Sequence, residues 1–285
     1  MQKPMRAGRF LAFLATLVAL IASSHLAQAQ PPIVLVDEGH GQKFHIAAEG
    51  KLDLSGLAAA LRAGGAKVQS IETALTTAAL SHIDALVISG AFAPFSASEI
   101  DSIMHFLDGG GRLAVMLHIP FPLTPLLRQL HVDFSNGVIH EREHVIGDDP
   151  LNFNVAALGA HPLTRKVDSL SVFGAWALLS EDTSTVAIAH TSTQAWVDLN
   201  GNNTLDKGDA VQAFNVAIAG QVGRGAFVVF GDDAIFQNQF LHGGNATLAR
   251  NLGAWLIKAE NKDVASAAPT KMPLPSPFAS AAHEL

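Results

Sequence analysis

The chain has 285 residues, 49% of them hydrophobic, no cysteine, and a formal charge of −7 from 25 acidic against 18 Lys and Arg residues. The lack of cysteine excludes a disulfide framework, a thiolate metal site, a cysteine nucleophile and a lipid-anchored N-terminal cysteine. The acidic balance argues against nucleic acid as a partner, because binding to a phosphate backbone rests on Lys and Arg.

The N-terminus carries the three parts of a secretory signal: basic Lys3, Arg6 and Arg9, an uncharged apolar run from Phe10 to Ala22, and the small-x-small site Ala27-Gln28-Ala29. The apolar run is shorter than the ~20 residues of a spanning helix, so cleavage is expected rather than anchoring. Loss of residues 1–29 would leave a periplasmic or secreted chain of charge about −10, with no later segment long and apolar enough to span a bilayer. Residues 263–285 are rich in Ala, Pro and Ser and read as a disordered tail. Residues 30–262 then form one domain.

Within it, Ile33 to Val36 is an apolar run that reads as a buried strand delivering the polar loop Asp37-Glu38-Gly39-His40-Gly41. Leu54, Leu57, Ala58 and Leu61 share one helical face, stopped by Gly64-Gly65. Strands follow at Lys67 to Ile71 and at Ala85 to Ile88, the second ending in Ser89-Gly90. Ser96-Ala97-Ser98-Glu99 is a capping box that opens a helix with Ile100, Ile103, Met104 and Leu107 on one face. Gly109-Gly110-Gly111 closes that helix, and Leu113 to Leu117 is the next strand. This alternation predicts a mostly parallel, doubly wound α/β sheet. From about 133 to 212 the pattern changes to short extended runs and turns, a β-rich elaboration that includes Thr185 to His190 and Gln194 to Val197. Phe214 to Ala219 and Ala226 to Phe230 read as strands around the turn Gly223-Arg224-Gly225. After Gly231-Asp232-Asp233, Asn245 is expected to cap a helix carrying Leu248, Leu252 and Trp255.

Four segments resemble exported domains of unknown function that have the class I glutamine amidotransferase-like fold. They are Val34 to Gly41, Ser96 to Leu117, His161-Pro162-Leu163-Thr164, and Gly223 through Asp232 to Asn251 and Trp255. The resemblance implies that fold, whose relatives include trehalose-utilisation-like proteins and gliding-associated domains, several without amidotransferase chemistry. Amidotransferases place a cysteine on a sharp turn after one strand. Here the equivalent stretch, Val115 to Pro120, has none, which argues against glutaminase activity.

Ligands of open α/β sheets sit at the carboxyl ends of the strands. Those ends carry Asp37, Glu38, His40, Ser89, His118, Asp232 and Asp233, a polar ring suited to hold a small polar ligand, with carbohydrate the favoured class. The same carboxylates and imidazoles suit general acid–base work, or a hard cation.

Two further motifs stand apart. His140-Glu141-Arg142-Glu143-His144 matches His-Glu-x-x-His, which on a helix lets two histidines share a zinc beside a Glu base. The flanking Gly, Asn and Pro residues suit a charged hairpin better, and in a strand His140 and His144 stand roughly 13 Å apart. The stretch from Asp198 to Asp209 resembles an EF-hand or dockerin calcium loop, with Asp198, Asn200, Asn202, Thr204, Asp206 and Asp209 as ligands to a structural calcium. A metal-free Asn/Gly/Asp turn is the competing reading. The resulting expectation is an exported binding module for a small polar ligand. The alternatives are a metal-dependent hydrolase using the strand-edge ring or the His140/His144 pair, and a structural or interaction protein.

Overall fold

The computed structural model describes residues 30–258, and the segments read as a signal and a tail lie outside them. In chain order the elements begin with β1 (Ile33–Asp37), α1 (Ser55–Ala63), β2 (Lys67–Ile71), α2 (Thr77–Leu80), β3 (Ala85–Ser89), α3 (Ala97–Asp108), β4 (Arg112–Met116) and α4 (Thr124–Gln129). A strand-rich stretch follows: β5 (Asp133–His140), β6 (Val145–Ile146), β7 (Asp149–Val155), β8 (Ala157–Leu158), β9 (Leu170–Phe173), β10 (Trp176–Leu179), β11 (Thr185–His190), β12 (Trp196–Val197) and β13 (Ala210–Val211). The chain closes with β14 (Asn215–Val222), β15 (Gly225–Phe230) and α5 (Gly243–Leu256).

Twelve strands join one sheet, whose main path is β13-β12-β5-β10-β14-β15-β4-β3-β1-β2, with β11 also paired to β14 and β8 to β11. β6, β7 and β9 form a separate antiparallel sheet. Only β2, β1, β3, β4 and β15 run parallel to one another. Every ladder beyond β15 is antiparallel, so the sheet is mixed rather than mostly parallel. The reason is the connection length. Two residues join β14 to β15, and a link that short can only make a hairpin. The turn is also held by packing: a Cβ on Gly225 would lie 2.2 Å from the Leu107 carbonyl oxygen, so only glycine lets β15 pass the end of α3.

Helices lie on both faces of the parallel strands. Alternating side chains divide the core in two, as the period of a strand requires. Val34, Val36, Val87, Ala114 and Met116 face Leu57 and Leu61 of α1 and Leu248 and Leu252 of α5. Leu86, Ile88, Leu113 and Val115 face Ile103 and Leu107 of α3 and Leu126 of α4. β3 is buried along its whole length, as a central strand covered on both sides should be. β2 closes one edge with exposed Lys67, Gln69 and Ser70, a polar rim that discourages further pairing.

The capping box of α3 is formed: Ser96 Oγ accepts from the Glu99 N–H, and Glu99 Oε2 accepts from the Ser96 N–H. α5 departs from expectation. It begins at Gly243, after His242, so Asn245 lies inside the first turn and does not cap it. Asn245 is instead buried and ties α5 to β9, with Oδ1 accepting from the Ser171 N–H and Nδ2 donating to the Ser171 and Phe240 carbonyls. Among the described residues, no helix is long and apolar enough to cross a membrane. The result is a set of parallel strands, β1, β3, β4 and β15, that all deliver polar residues to one edge.

Candidate functional site

The polar residues at this edge sort into two groups. The first is centred on His40, which is 6% exposed and stacks on Phe95 at 3.7 Å. Its Nδ1 lies 2.9 Å from both oxygens of Asp37, at the end of β1, and its Nε2 lies 3.1 Å from Glu99 Oε1. Gln42 Nε2 donates to Asp37 Oδ2 at 2.6 Å, so the carboxylate is saturated. His40 therefore bridges two buried carboxylates and ties the loop after β1 to the first turn of α3. Burial acts to lower its pKa, but the Asp37 and Glu99 contacts outweigh that and raise it. Glu99 moves the other way. Burial alone would raise it, but hydrogen bonds from Ser96 and from the Leu75 N–H, with the His40 charge, hold it down. Glu38 turns away from this group, accepting from the Ile46 N–H at 2.8 Å and facing His45 Nδ1 at 3.5 Å.

The second group is centred on His118, just beyond β4, whose side chain is 41% exposed. Its Nδ1 lies 3.1 Å from Asp233 Oδ1, and its Nε2 has no hydrogen-bond partner among the described residues. Asp233 is 1% exposed and its Oδ2 is also without a hydrogen-bond partner, as is the buried Ser89 Oγ at the end of β3. Gly90 adopts φ +57°, and a Cβ there would come within 2.7 Å of Asp233 Oδ2, so a glycine is required where the carboxylate meets the backbone. Asp232, beside Asp233, accepts from the Phe173 N–H at 2.7 Å and from the Ala234 N–H at 2.8 Å. The Asp233 hydrogen bond raises the His118 pKa, and burial raises Asp233. Burial and the neighbouring Asp233 charge push Asp232 up to about 8. Burial thus disfavours the charged form of both neighbouring carboxyls, while His118 favours it.

Aromatic rings frame His118. Phe44 and Phe92 lie 5.5 and 5.2 Å from its ring centre. Trp176 donates from Nε1 to the His118 main-chain carbonyl at 3.1 Å. Trp176 reaches this point because Gly231 lacks a side chain, as a Cβ there would sit 2.2 Å from the Trp176 carbonyl oxygen. Phe121, 59% exposed, and Phe134 meet Trp176 edge-on at 5.7 and 6.4 Å and extend an apolar wall. A half-exposed imidazole, buried carboxylates and exposed ring surface together can take a ligand that has both hydroxyls and an apolar face. Sequence reasoning did not reach Glu99, Gln42 or Trp176. Glu99 reads locally as a cap, and nothing in its neighbourhood signals a partner 59 positions away.

The other motifs lie elsewhere. Residues 138–146 are strand, turn and strand, with His144 at φ +58°, so the helix that a shared zinc between His140 and His144 requires is not formed. The two strands do not pair as a hairpin either, since β5 pairs with β10 and β12, and β6 with β7. His140 stacks on Trp196 at 4.1 Å. Glu141 is 1% exposed and accepts from the N–H groups of Arg142, Glu143 and Ser192 and from Ser192 Oγ, so it closes a loop. Among the described residues, no group of three or more His, Asp or Glu is arranged to hold a metal ion.

The 198–209 loop folds on its own amides. Asp198 accepts from the N–H groups of Asn200, Gly201 and Asn203, and Asp209 from those of Leu199 and Asp206. Asp206 accepts from the side-chain amides of Asn200 and Asn202. The N–H of Thr204 donates to Asn202 Oδ1, and Asn203 takes φ +58°. A cavity of about 450 Å³ opens at the opposite edge of the sheet, lined by Ser81, Asp84, His105, Gly110 and Lys258 among others. None of the carboxyl-edge residues line it; polar chemistry rather than cavity size locates the candidate site.

Residues 53–252 match the family described as a domain of unknown function, DUF4350. No curated protein matches the chain. Among solved structures, the chain is similar to the mmIFT52 N-terminal domain at 17% identity and a TM-score of 0.62, over 79% of this chain and 97% of that one. It is similar to the cytoplasmic protein STM1381 from Salmonella typhimurium LT2 at 16% identity and a TM-score of 0.52, over 79% of this chain and 99% of the other. A ThuA-like protein from Bacteroides uniformis ATCC 8492 aligns at 14% identity and a TM-score of 0.46, over 82% and 95% of the two chains. At these identities the first two likenesses speak to the fold alone.

Two outcomes follow from the ionisable groups. Because the folded His40 pKa is raised above 6.5, the stability it contributes is complete below that pH and is lost as pH rises through the folded value. Glu99, lowered from 4.5, loses its contribution as pH falls through its folded value. Thermal melts should therefore show a bridge contribution greatest between these limits, and His40→Ala should remove it at a cost of about 3 kcal/mol near pH 6. A pH profile of stability unchanged by that substitution would refute the bridge. In the second group, Asp233→Asn should lower the His118 pKa, read by NMR titration of the imidazole protons. An unshifted titration would mean that the pairing does not hold in solution.

Proposed function

The chain belongs to the DUF4350 family, a domain of unknown function, and on that premise we propose that it binds a small polar ligand, a carbohydrate, at the carboxyl edge of its parallel strands. The observation that carries the reading is His118. Its imidazole is half-exposed, is held by buried Asp233 and lies against Phe92, while its main-chain carbonyl takes the Trp176 indole N–H. Sugar rings stack on aromatic faces through their C–H surfaces and give their hydroxyls to carboxylates and imidazoles. Ser89 Oγ and Asp233 Oδ2 are buried at the same edge without hydrogen-bond partners. We read the parallel half as a doubly wound, class I glutamine amidotransferase-like unit, as the sequence resemblance supports, and the chain as exported on the strength of its N-terminal signal pattern. A hydrolytic reading rests on the same pair, because an imidazole oriented by a carboxylate is the arrangement of a general base.

A second proposal concerns the 198–209 loop, which we read as a structural calcium site. An ionised carboxylate has about four lone-pair sites, so the amide bonds to Asp198 and Asp209 leave capacity for a cation. The left-handed backbone of Asn203 stands where such loops turn.

Calorimetric titration of the protein with neutral and acidic mono- and disaccharides tests the first proposal. Binding by one sugar class, weakened about tenfold or more by His118→Ala and by Trp176→Ala, is the expected result. A panel with no binder, or binding that survives both substitutions, overturns it. For the loop, millimolar calcium should raise the melting temperature by several degrees, and Asp198→Ala should abolish the rise. An equal rise in the variant, or none in the parent, removes the calcium reading.

A further inference from the structure

Away from the carboxyl edge, the start of β4 places a guanidinium in an unusual setting. Arg112 is half-buried on the α5 side of the sheet, and its Nε is enclosed without a hydrogen-bond partner. Among the described residues the ion pairs all involve histidine, and none reaches Arg112. The guanidinium carbon lies 4.7 Å from the centre of the Trp255 ring in α5. Stacking of this kind covers the face of a guanidinium and leaves its in-plane donors for a partner. His161, ahead of the short turn Pro162–Thr164, has its ring 6.4 Å from the same indole. Its Nδ1 accepts from the Leu163 N–H at 3.2 Å, which assigns the ring proton to Nε2 and makes that nitrogen a donor. Burial, with the nearby Arg112 charge, pushes its pKa down to about 4, so it stays neutral near pH 7 and does not compete with Arg112 for charge.

A half-buried guanidinium whose Nε is enclosed without a partner carries a desolvation cost that an anion would offset. Here one positive fork and one neutral donor lie near the same indole, and among the described residues no carboxylate pairs with the guanidinium. We infer that Arg112, His161 and Trp255 form a second binding site, selective for a small oxyanion held in bidentate fashion by the Arg112 guanidinium. Phosphate and carboxylate share the required geometry, two oxygens spaced to match the guanidinium fork. The site is independent of the His118 edge. It lies at the amino end of β4, whereas His118 lies beyond the carboxyl end of the same strand.

The test uses inorganic phosphate and acetate, each against sodium chloride of matched ionic strength, with the full chain. At ten times the dissociation constant, the binding anion should raise the melting temperature by roughly 3–6 °C in a saturable manner. Arg112→Met should abolish that rise while melting no lower than the parent in chloride, since it removes a buried charge that lacks a partner. A response to phosphate alone identifies a phosphate site, and a response to acetate identifies a carboxylate site. If neither anion acts beyond chloride, or if the rise persists in Arg112→Met, the inference fails. Should Arg112→Met not fold, Arg112→Lys keeps the charge without the fork and should weaken binding tenfold or more by calorimetry. Equal binding by the Lys variant overturns the bidentate site.

Discussion

The carboxyl edge depends on one buried tie: the His40 imidazole held between Asp37 and Glu99. A histidine 6% exposed is tolerated here because both of its ring nitrogens meet carboxylate oxygens. Gln42 and the Leu75 and Ser96 N–H groups donate to the same carboxylates. The tie joins two segments that the sheet alone would leave separate, the loop after β1 and the first turn of α3. Phe95 stacks under the ring and Phe92 lies a few residues back along the same connection, so the tie also sets the aromatic that faces His118. The two histidines of the edge thus have different tasks. His40 is internal and structural, whereas His118 is half-exposed and free to meet a ligand.

Much of the parallel half was legible in the sequence because its signals are local. The capping box at Ser96 and Glu99 and the apolar stripe of α3 each sit within a dozen residues, and both are present as read. The strand ends delivered their polar residues to one edge, since a parallel sheet with helical crossovers allows nothing else. What was not legible depends on distance. The five-strand limit of parallel pairing follows from how β14 and β10 return to the sheet, which short hairpins dictate but which no single segment announces. Asn245 looked like a cap because Asn before an apolar stripe usually is one. Its long-range bonds to Ser171 made it a brace, and Gly243 became the first helical residue. Glu99 was read correctly as a cap and only half described, because its second oxygen serves the bridge.

The His-Glu-x-x-His match shows why a motif needs its context. The letters specify two histidines one turn apart only if the backbone is helical. Here His140 ends a strand paired to β10 and β12, and Glu141 is enclosed by four hydrogen bonds from its own loop and from Ser192. That use of a glutamate, as an acceptor for exposed loop amides, is as strong a reason for its presence as catalysis. The same lesson applies to the Asn- and Asp-rich loop at 198–209, where side-chain oxygens and backbone amides close the turn. Its chemistry there is a matter of spare lone pairs and not of the pattern alone.

The contact at Gly231 has a broader consequence. By letting the backbone of Trp176 press against the end of β15, it lets the indole of the antiparallel half donate to the His118 carbonyl of the parallel half. The two halves then carry separable parts of one surface: the first holds the ionisable pair, and the second, hairpin by hairpin, supplies the wall. Hairpins tolerate changes in length and sequence far better than strands buried on both faces. The wall can therefore vary in shape on one side while the imidazole–carboxylate pair on the other keeps its geometry.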